Sequence, residues 1–340
     1  MKVALITTTI RVPEVLTLYR EFNKEAMFFI SGDRNAPHDE VRKLVARIGN
    51  AVYYSDSDQE KLGYKCCDLI GWNRIMRRNI ALLEAIKYRS DIIISIDDDN
   101  IPLGRDYFDH FVKVLSQPFS GIQVASSDGW FNIGDYLVPH IYHRGFPYEC
   151  RNKKHTYSVR HVRGEKIGVA AGLWFGDPDI DAMERIATHP EVHQVSEIIR
   201  EGLCIDLEVF SPTNSQNTAY VAALAPLLMV WTGIGRYDDI WASYCAQRIM
   251  RTLGYHVYYG PPFVWQERNY QNLWQNLRDE IYGAENTFTY CQDLLKADVG
   301  EGEVVERLER IYEQLKEKKY LPPVVYELGK AWCEDVKKIL

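Results

Sequence analysis

Apolar and polar positions alternate in a way that divides the first 130 residues into strands and helices in turn. Apolar runs over residues 3–8, 26–31, 51–54 and 92–96 predict strands. Between them, residues 13–23, 38–48 and 75–88 predict helices. The first carries Pro13 in its opening turn, and the last has Ile75, Leu82, Leu83 and Ile86 along an apolar side. Strands alternating with helices point to βαβ units and a mostly parallel α/β sheet, whose ligands sit at the carboxyl ends of the strands. Beyond residue 105 the pattern loosens. Residues 107–115 predict a helix, 122–126 a strand, and 130–165 an irregular stretch rich in Tyr, His and Arg. Residues 237–253 predict a helix opened by acids, and 256–259 a strand ending at Gly260-Pro261-Pro262. From 269 to 340 the chain reads as helical, with 305–315 strongly amphipathic. The expected organisation is a catalytic α/β unit over residues 1–268 and a helical C-terminal extension over 269–340 packed on it.

One junction concentrates the chemistry. Ile92-Ile93-Ile94-Ser95-Ile96 runs straight into Asp97-Asp98-Asp99-Asn100. A run that is β-branched apart from Ser95 suits a strand buried on both faces. Three adjacent acids repel one another. They suit a hard cation such as Mg²⁺ or Mn²⁺ that bridges carboxylate to phosphate oxygens, or else a solvated acidic turn. Gly32-Asp33 ends another strand in the same way.

Composition narrows the classes. With 340 residues, 46% of them hydrophobic, the chain has material for one large or two moderate cores. A net charge of −7 without a basic stripe argues against a nucleic-acid partner. Seven cysteines without CxxC pairing suit free thiols in a reducing, cytoplasmic setting. The longest apolar run, 219–231, carries Tyr220 and Pro226 and falls short of a bilayer span, so no integral membrane segment is expected. The first six residues read as a strand and not as a targeting segment. Walker A, GxGxxG and GxSxG motifs are missing, which removes the main supports for kinase-type, dinucleotide and α/β-hydrolase chemistry.

Four further groups carry two readings each. Arg77-Arg78-Asn79, ahead of the acidic strand, either hold a diphosphate or orient an acid, or else form a solvated helix face. Asp238-Asp239 offer one acid to a substrate hydroxyl while the other caps the helix, or both serve the helix start. Arg144 before Gly145 is a phosphate clamp or part of a surface loop. Thr7-Thr8-Thr9-Ile10-Arg11 grip a base or ribose, or simply turn the chain. His140, His143, His155 and His161 lack a convincing zinc spacing.

Taken together, these segments carry a resemblance. Arg78-Asn79-Ile80-Ala81, about twenty residues before Ser95-Ile96-Asp97-Asp98-Asp99, is similar to the helix–strand–DXD unit of glycosyltransferases with the GT-A fold. Four segments resemble the plant reversibly glycosylated polypeptides, or UDP-arabinopyranose mutases, of glycosyltransferase family 75. They are Ile96-Asp97-Asp98-Asp99, Arg144-Gly145-Phe146-Pro147, Gly172-Leu173-Trp174 with Pro178-Asp179-Ile180-Asp181-Ala182, and Ile234-Gly235-Arg236-Tyr237-Asp238-Asp239-Ile240-Trp241. They occur in the family's order, and the similarity runs over roughly residues 3–270.

The resemblance implies a GT-A, Rossmann-like mixed sheet flanked by helices, and a UDP-sugar substrate. It implies Mn²⁺ or Mg²⁺ on Asp97 and Asp99 with Gln266, and catalytic roles for Arg144, Asp238 and Asp239. Thr8, Thr9, Arg11, Asp33, Arg78, Asp97, Asp98, Gly172 and Trp174 are then expected at the UDP-sugar. The family interconverts pyranose and furanose forms of UDP-arabinose, and its reversibly glycosylated arginine falls at Arg144. An ordinary GT-A transferase passing the sugar to an external acceptor is the alternative. The intact acids and Arg144 disfavour a non-catalytic nucleotide-sugar-binding protein. The pattern departs from the family at residues 52–75, and at Gln266, where the family has His. Sugar identity, a sugar acceptor and a homo-oligomeric partner stay open, as does whether the amphipathic C-terminal helices form an interface or cover the sheet.

Overall fold

The computed structural model describes residues 1–267 and 271–340. The apolar runs of the N-terminal third form parallel strands β1 (Val3–Thr9), β2 (Met27–Gly32), β3 (Ala51–Tyr54) and β4 (Ile92–Ser95), each within a residue of its expected bounds. The later strands are β5 (Asn100–Pro102), β6 (Phe119–Ser126), β7 (Leu137–Val138), β8 (Tyr157–Gly176), β9 (Gln194–Val195), β10 (Leu203–Ile205), β11 (Thr218–Val221) and β12 (Tyr255–Gln266). Among the described residues, ten of these make one mixed sheet in the order β3-β2-β1-β4-β11-β8-β6-β10-β12-β5, and β7 pairs with β9. Helices flank the sheet, as the resemblance implied. β11 runs antiparallel to β4 and to β8. Its amino-terminal end therefore opens on the same edge as the carboxyl ends of β1 and β4.

Three expectations change. Residues 157–165 are not irregular but form the first half of the 20-residue β8, antiparallel to β6. Most of those side chains are exposed, so backbone pairing rather than burial holds the segment, and no hydrophobic alternation announces it. β12 does not stop at Gly260. It continues to Gln266 because a register shift between Gly260 and Val264 absorbs Pro261-Pro262. The helix expected over 75–88 begins as a 3₁₀ turn, Ile75–Arg77, and becomes α-helical over Arg78–Lys87. It has no polar face: Arg78 through Ile86 are all buried, while Ile75 is exposed. The cause is packing on two sides, against β1 and β2 and against the C-terminal helix Pro323–Ile339.

The C-terminal helices Leu273–Lys296, Val304–Leu315 and Pro323–Ile339 lie on the α/β unit. The apolar stripe of Val304–Leu315, with Leu308, Ile311 and Leu315, is buried against Pro323–Ile339 and the 3₁₀ segment Ala222–Leu228, so it serves as a cover. Asp335 accepts the backbone N–H groups of Lys65 and Cys66, each at 2.9 Å, and ties the last helix to the start of the short helix Cys66–Ile70. The boundary expected at 268/269 lies outside the described residues. The apolar run 219–231 supplies β11 and that 3₁₀ segment instead of a membrane span. No described helix is long and apolar enough to cross a membrane. All seven cysteines are buried and unpaired.

Candidate functional site

β4 delivers Ile96 and the three acids to the open edge, where the Asn100 side chain accepts the Asp97 N–H at 2.9 Å and closes the turn. Each acid then meets a different partner. Arg78 is buried and pairs with Asp97 rather than lying on a solvated helix face. Asp98 accepts the Thr9 hydroxyl at 2.6 Å and Arg11 at 2.9 Å. Asp99 lies 3.6 Å from Arg11 and accepts the Gln266 amide N–H at 3.0 Å. Burial pushes the Asp99 carboxyl above its ordinary value, and the nearby Asp97 charge pushes it further.

Several expected ligand contacts turn out to be internal. Gln266 turns its amide nitrogen to Asp99, and its oxygen accepts from Asn100. It supports a carboxylate rather than offering a metal an oxygen. Asp33 lies at the cleft floor, but its two oxygens accept the backbone N–H groups of Arg34, Asn73 and Arg74 at 2.7–3.0 Å, so it holds the cleft rim. Thr8 donates to the Ser31 carbonyl at 2.9 Å. Arg11 stands beyond the lining and reaches the site only through Asp98 and Asp99. Asn79 pairs both amide atoms with the Val230 backbone at 2.8 Å. Gly172 and Trp174 do not line the cleft. Trp174 is 1% exposed, and a Cβ on Gly172 would stand 2.5 Å from the Pro262 carbonyl, so that position needs a small residue for packing.

The opposite wall is built on Arg144. Its side chain is buried between Asp179, which it grips with two bonds of 2.9 Å, and Asp239, at 3.1 and 3.4 Å, and it also donates to the Arg236 carbonyl. All five guanidinium N–H groups are thereby engaged. Burial alone would lower the guanidinium, yet the two acids hold it well above its ordinary value. The phosphate-clamp reading of Arg144 therefore gives way to one in which it clamps acids. The adjacent Gly145 has φ +91°, and a Cβ there would sit 2.3 Å from Ile240 Cγ2. Gly145→Ala is expected to lose about 1–3 kcal/mol of stability in urea unfolding through backbone strain and crowding. An unchanged midpoint would contradict that reading.

The neighbouring acids on the helix Asp238–Leu253 differ sharply. Asp239 accepts from Arg144 and from the Ser215 N–H at 3.1 Å. Asp238 is 1% exposed; one oxygen accepts the Ile234 N–H at 2.8 Å and the other has no partner. Burial pushes its carboxyl well above the usual range, against the pull of that N–H, and the Asp239 charge adds to the rise.

Asp97–Asp99, Arg78, Arg144, Asp238 and Asp239 share one cleft of about 680 Å³, rimmed also by Arg74 and Arg236. Its lining holds seven carboxylates against four guanidinium groups. An anionic diphosphate entering it needs added positive charge. The donor set fits a divalent cation bound through Asp97 and Asp99, with phosphate and water completing the shell, as Mg²⁺ commonly is. Among the described residues no three His, Cys, Asp or Glu side chains converge as a full cage. The histidines go separate ways, His140 to Asp135 and His155 to Asp128.

Sequence reasoning missed Asp179 as a site residue and missed the polar segment Thr213-Asn214-Ser215-Gln216-Asn217 altogether. Asp179 stood inside a motif already singled out. The polar segment carries no local signal, since only the direction of β11 brings it to the site.

Comparison with known proteins adds a family. The family model for reversibly glycosylated polypeptides matches residues 2–320. A probable UDP-arabinopyranose mutase 1 of Pisum sativum is 25% identical over 82% of this chain and 73% of its own length. UDP-arabinopyranose mutase 3 of Arabidopsis thaliana is 24% identical over 82% and 74%, whereas the match to a probable mutase 2 of Solanum tuberosum spans 54% of that protein. Among solved structures, a mannosyltransferase from Pyrobaculum calidifontis in complex with GDP-Man and Mn²⁺ is 11% identical, with a TM-score of 0.40 over 97% of this chain and 85% of its own. A mycobacterial protein is 12% identical at a TM-score of 0.45 over 86% and 75%. Likeness at those scores carries no argument about chemistry.

Proposed function

The chain belongs to the reversibly glycosylated polypeptide family, and from that premise we propose that it is a metal-dependent UDP-sugar mutase interconverting the pyranose and furanose forms of UDP-arabinose. The observation that carries the reading is the meeting, in one cleft, of the acid run Asp97–Asp99 with Asp238, Asp239 and Arg144. Asp97 and Asp99 would hold Mn²⁺ or Mg²⁺, which when bound would neutralise charge building on the diphosphate as the sugar–phosphate bond breaks.

The chain's own residues account for the sugar's end. Ring contraction breaks the bond from the old ring oxygen to the anomeric carbon, forms one from the closing hydroxyl, and remakes the sugar–phosphate bond with the same UDP. The old ring oxygen gains a proton and the closing hydroxyl loses one. Asp238, whose carboxyl burial pushes well above the usual range, would supply the first proton. Asp239, fixed by Arg144 and Ser215, would accept the second and faces the positive charge that develops at the anomeric carbon. A sugar on Arg144, the position glycosylated in the family, would have to displace one of its five hydrogen bonds. The unpaired thiols suit a reducing compartment, and we place the enzyme in the cytoplasm.

The test is incubation with Mn²⁺ and UDP-arabinopyranose without acceptor. UDP-arabinofuranose should form, and peptide mapping would show whether a pentose-sized mass rides on the Arg144 peptide. If only UDP accumulates, and an added acceptor becomes glycosylated, the protein is a transferase and the mutase reading is lost.

A further inference from the structure

Residues 213–217 lead into β11 across the open edge of the sheet, and they bond to both walls of the cleft. Asn214 donates to Asp179 at 2.6 Å. Gln216, with its amide nitrogen towards Asp97 at 3.3 Å, accepts from Trp174 Nε1 at 3.2 Å. Asn217 anchors the segment, accepting from the Tyr107 hydroxyl at 2.7 Å and donating to the Pro262 carbonyl at 3.0 Å. Ser215 sits between these anchors. Arg78 donates to its carbonyl at 2.7 Å and to its hydroxyl at 2.8 Å, and Ser95 donates to the same carbonyl at 2.6 Å. The Ser215 N–H and hydroxyl both point to one oxygen of Asp239, at 3.1 and 3.3 Å.

A continuous chain of polar contacts therefore runs Asp97–Arg78–Ser215–Asp239–Arg144–Asp179. The half-buried Ser215 is its neutral link. A second neutral path, Asp97–Gln216–Asn214–Asp179, also joins the two walls, but it touches neither Arg78 nor Asp239.

We propose that Ser215 is a positioning residue: its hydroxyl fixes Asp239 relative to Arg78, so that the carboxylate is aimed at the anomeric carbon when the diphosphate is seated. The inference rests on the reading of the cleft as a UDP-sugar site. It does not require ring contraction, because any cleavage of the sugar–phosphate bond uses the same alignment.

The experiment compares Ser215→Ala and Ser215→Thr with the unaltered protein, using Mn²⁺ and UDP-arabinopyranose. Consumption of UDP-arabinopyranose is the readout, since the substrate is used up whether the sugar contracts, reaches an acceptor or is lost to water. A failed mutase reading therefore leaves the test intact. Ser215→Ala should lower kcat for consumption of UDP-arabinopyranose about tenfold, as expected for one hydrogen bond to a charged group. Its affinity for UDP and its melting temperature should stay near those of the unaltered protein. Ser215→Thr restores the hydroxyl and should recover most of the rate. The proposal is overturned by an unchanged kcat in Ser215→Ala, by a loss that Thr does not recover, or by a fall in UDP affinity that accounts for the whole effect.

Discussion

Replacing Arg144 by alanine is expected to lower folding stability by about 3–5 kcal/mol, the usual consequence of removing one partner from a buried ion pair. Turnover should fall below detection in the same variant. Asp179 is 1% exposed and Asp239 is 7% exposed, and both face the guanidinium. Without it, two carboxylates are left close together with little water to screen them. Arg144→Lys separates the two effects. An ammonium keeps the charge but has no planar fork with which to hold two carboxylates at once. The lysine variant should recover most of the stability, by urea unfolding, and little of the turnover of UDP-arabinopyranose. If Arg144→Lys turned over like the unaltered protein, the geometry of the guanidinium would have no task.

The second large effect is at the acid run. Asp97→Ala should weaken Mn²⁺-dependent UDP binding by more than about 100-fold, given that even the outer partners of metal ligands are commonly worth 10–100-fold. Titration calorimetry with and without EDTA reads it directly. Asp98→Ala should do much less to the metal dependence, because Asp98 is engaged with Thr9 and Arg11 rather than turned to a cation. Equal UDP affinity in the unaltered protein with and without EDTA would remove the metal from the proposal. Equal losses in the two variants would mean that the run acts through its total charge.

Much of the cleft wall around the acid run was legible in the sequence, for a physical reason. Strands buried on both faces read as largely apolar runs, so β1, β2 and β4 declared themselves, and the acids after Ile96 stood out at a strand end. The Asp238–Asp239 helix start was legible too, since an acidic pair after Gly235 breaks an apolar stretch. What hid was whatever depends on partners far along the chain. The identity of Asp33 gave no sign that its oxygens would go to the backbone of residues 34, 73 and 74. Gly172 and Trp174 belong to a recognisable segment yet face the packing side of β8. Ser215 looked like any loop serine, because strand direction is a property of the assembled sheet and leaves no mark on neighbouring residues. Gln266 was legible as a departure, but the side to which its amide turns was not.

The helix Leu273–Lys296 has a consequence in time. Its Glu280 accepts from Arg236 at 2.8 Å and from the backbone of Ala182, and the Arg236 carbonyl in turn receives Arg144. Trp241 stacks on Tyr290 of the same helix with ring centres 4.3 Å apart. Chains fold from the amino end as the ribosome releases them. The wall that holds Arg144 is thus completed only after residues 273–296 have been made, well after the acid run. A nascent chain stalled short of that helix would carry the acid run of the cleft without its finished far side.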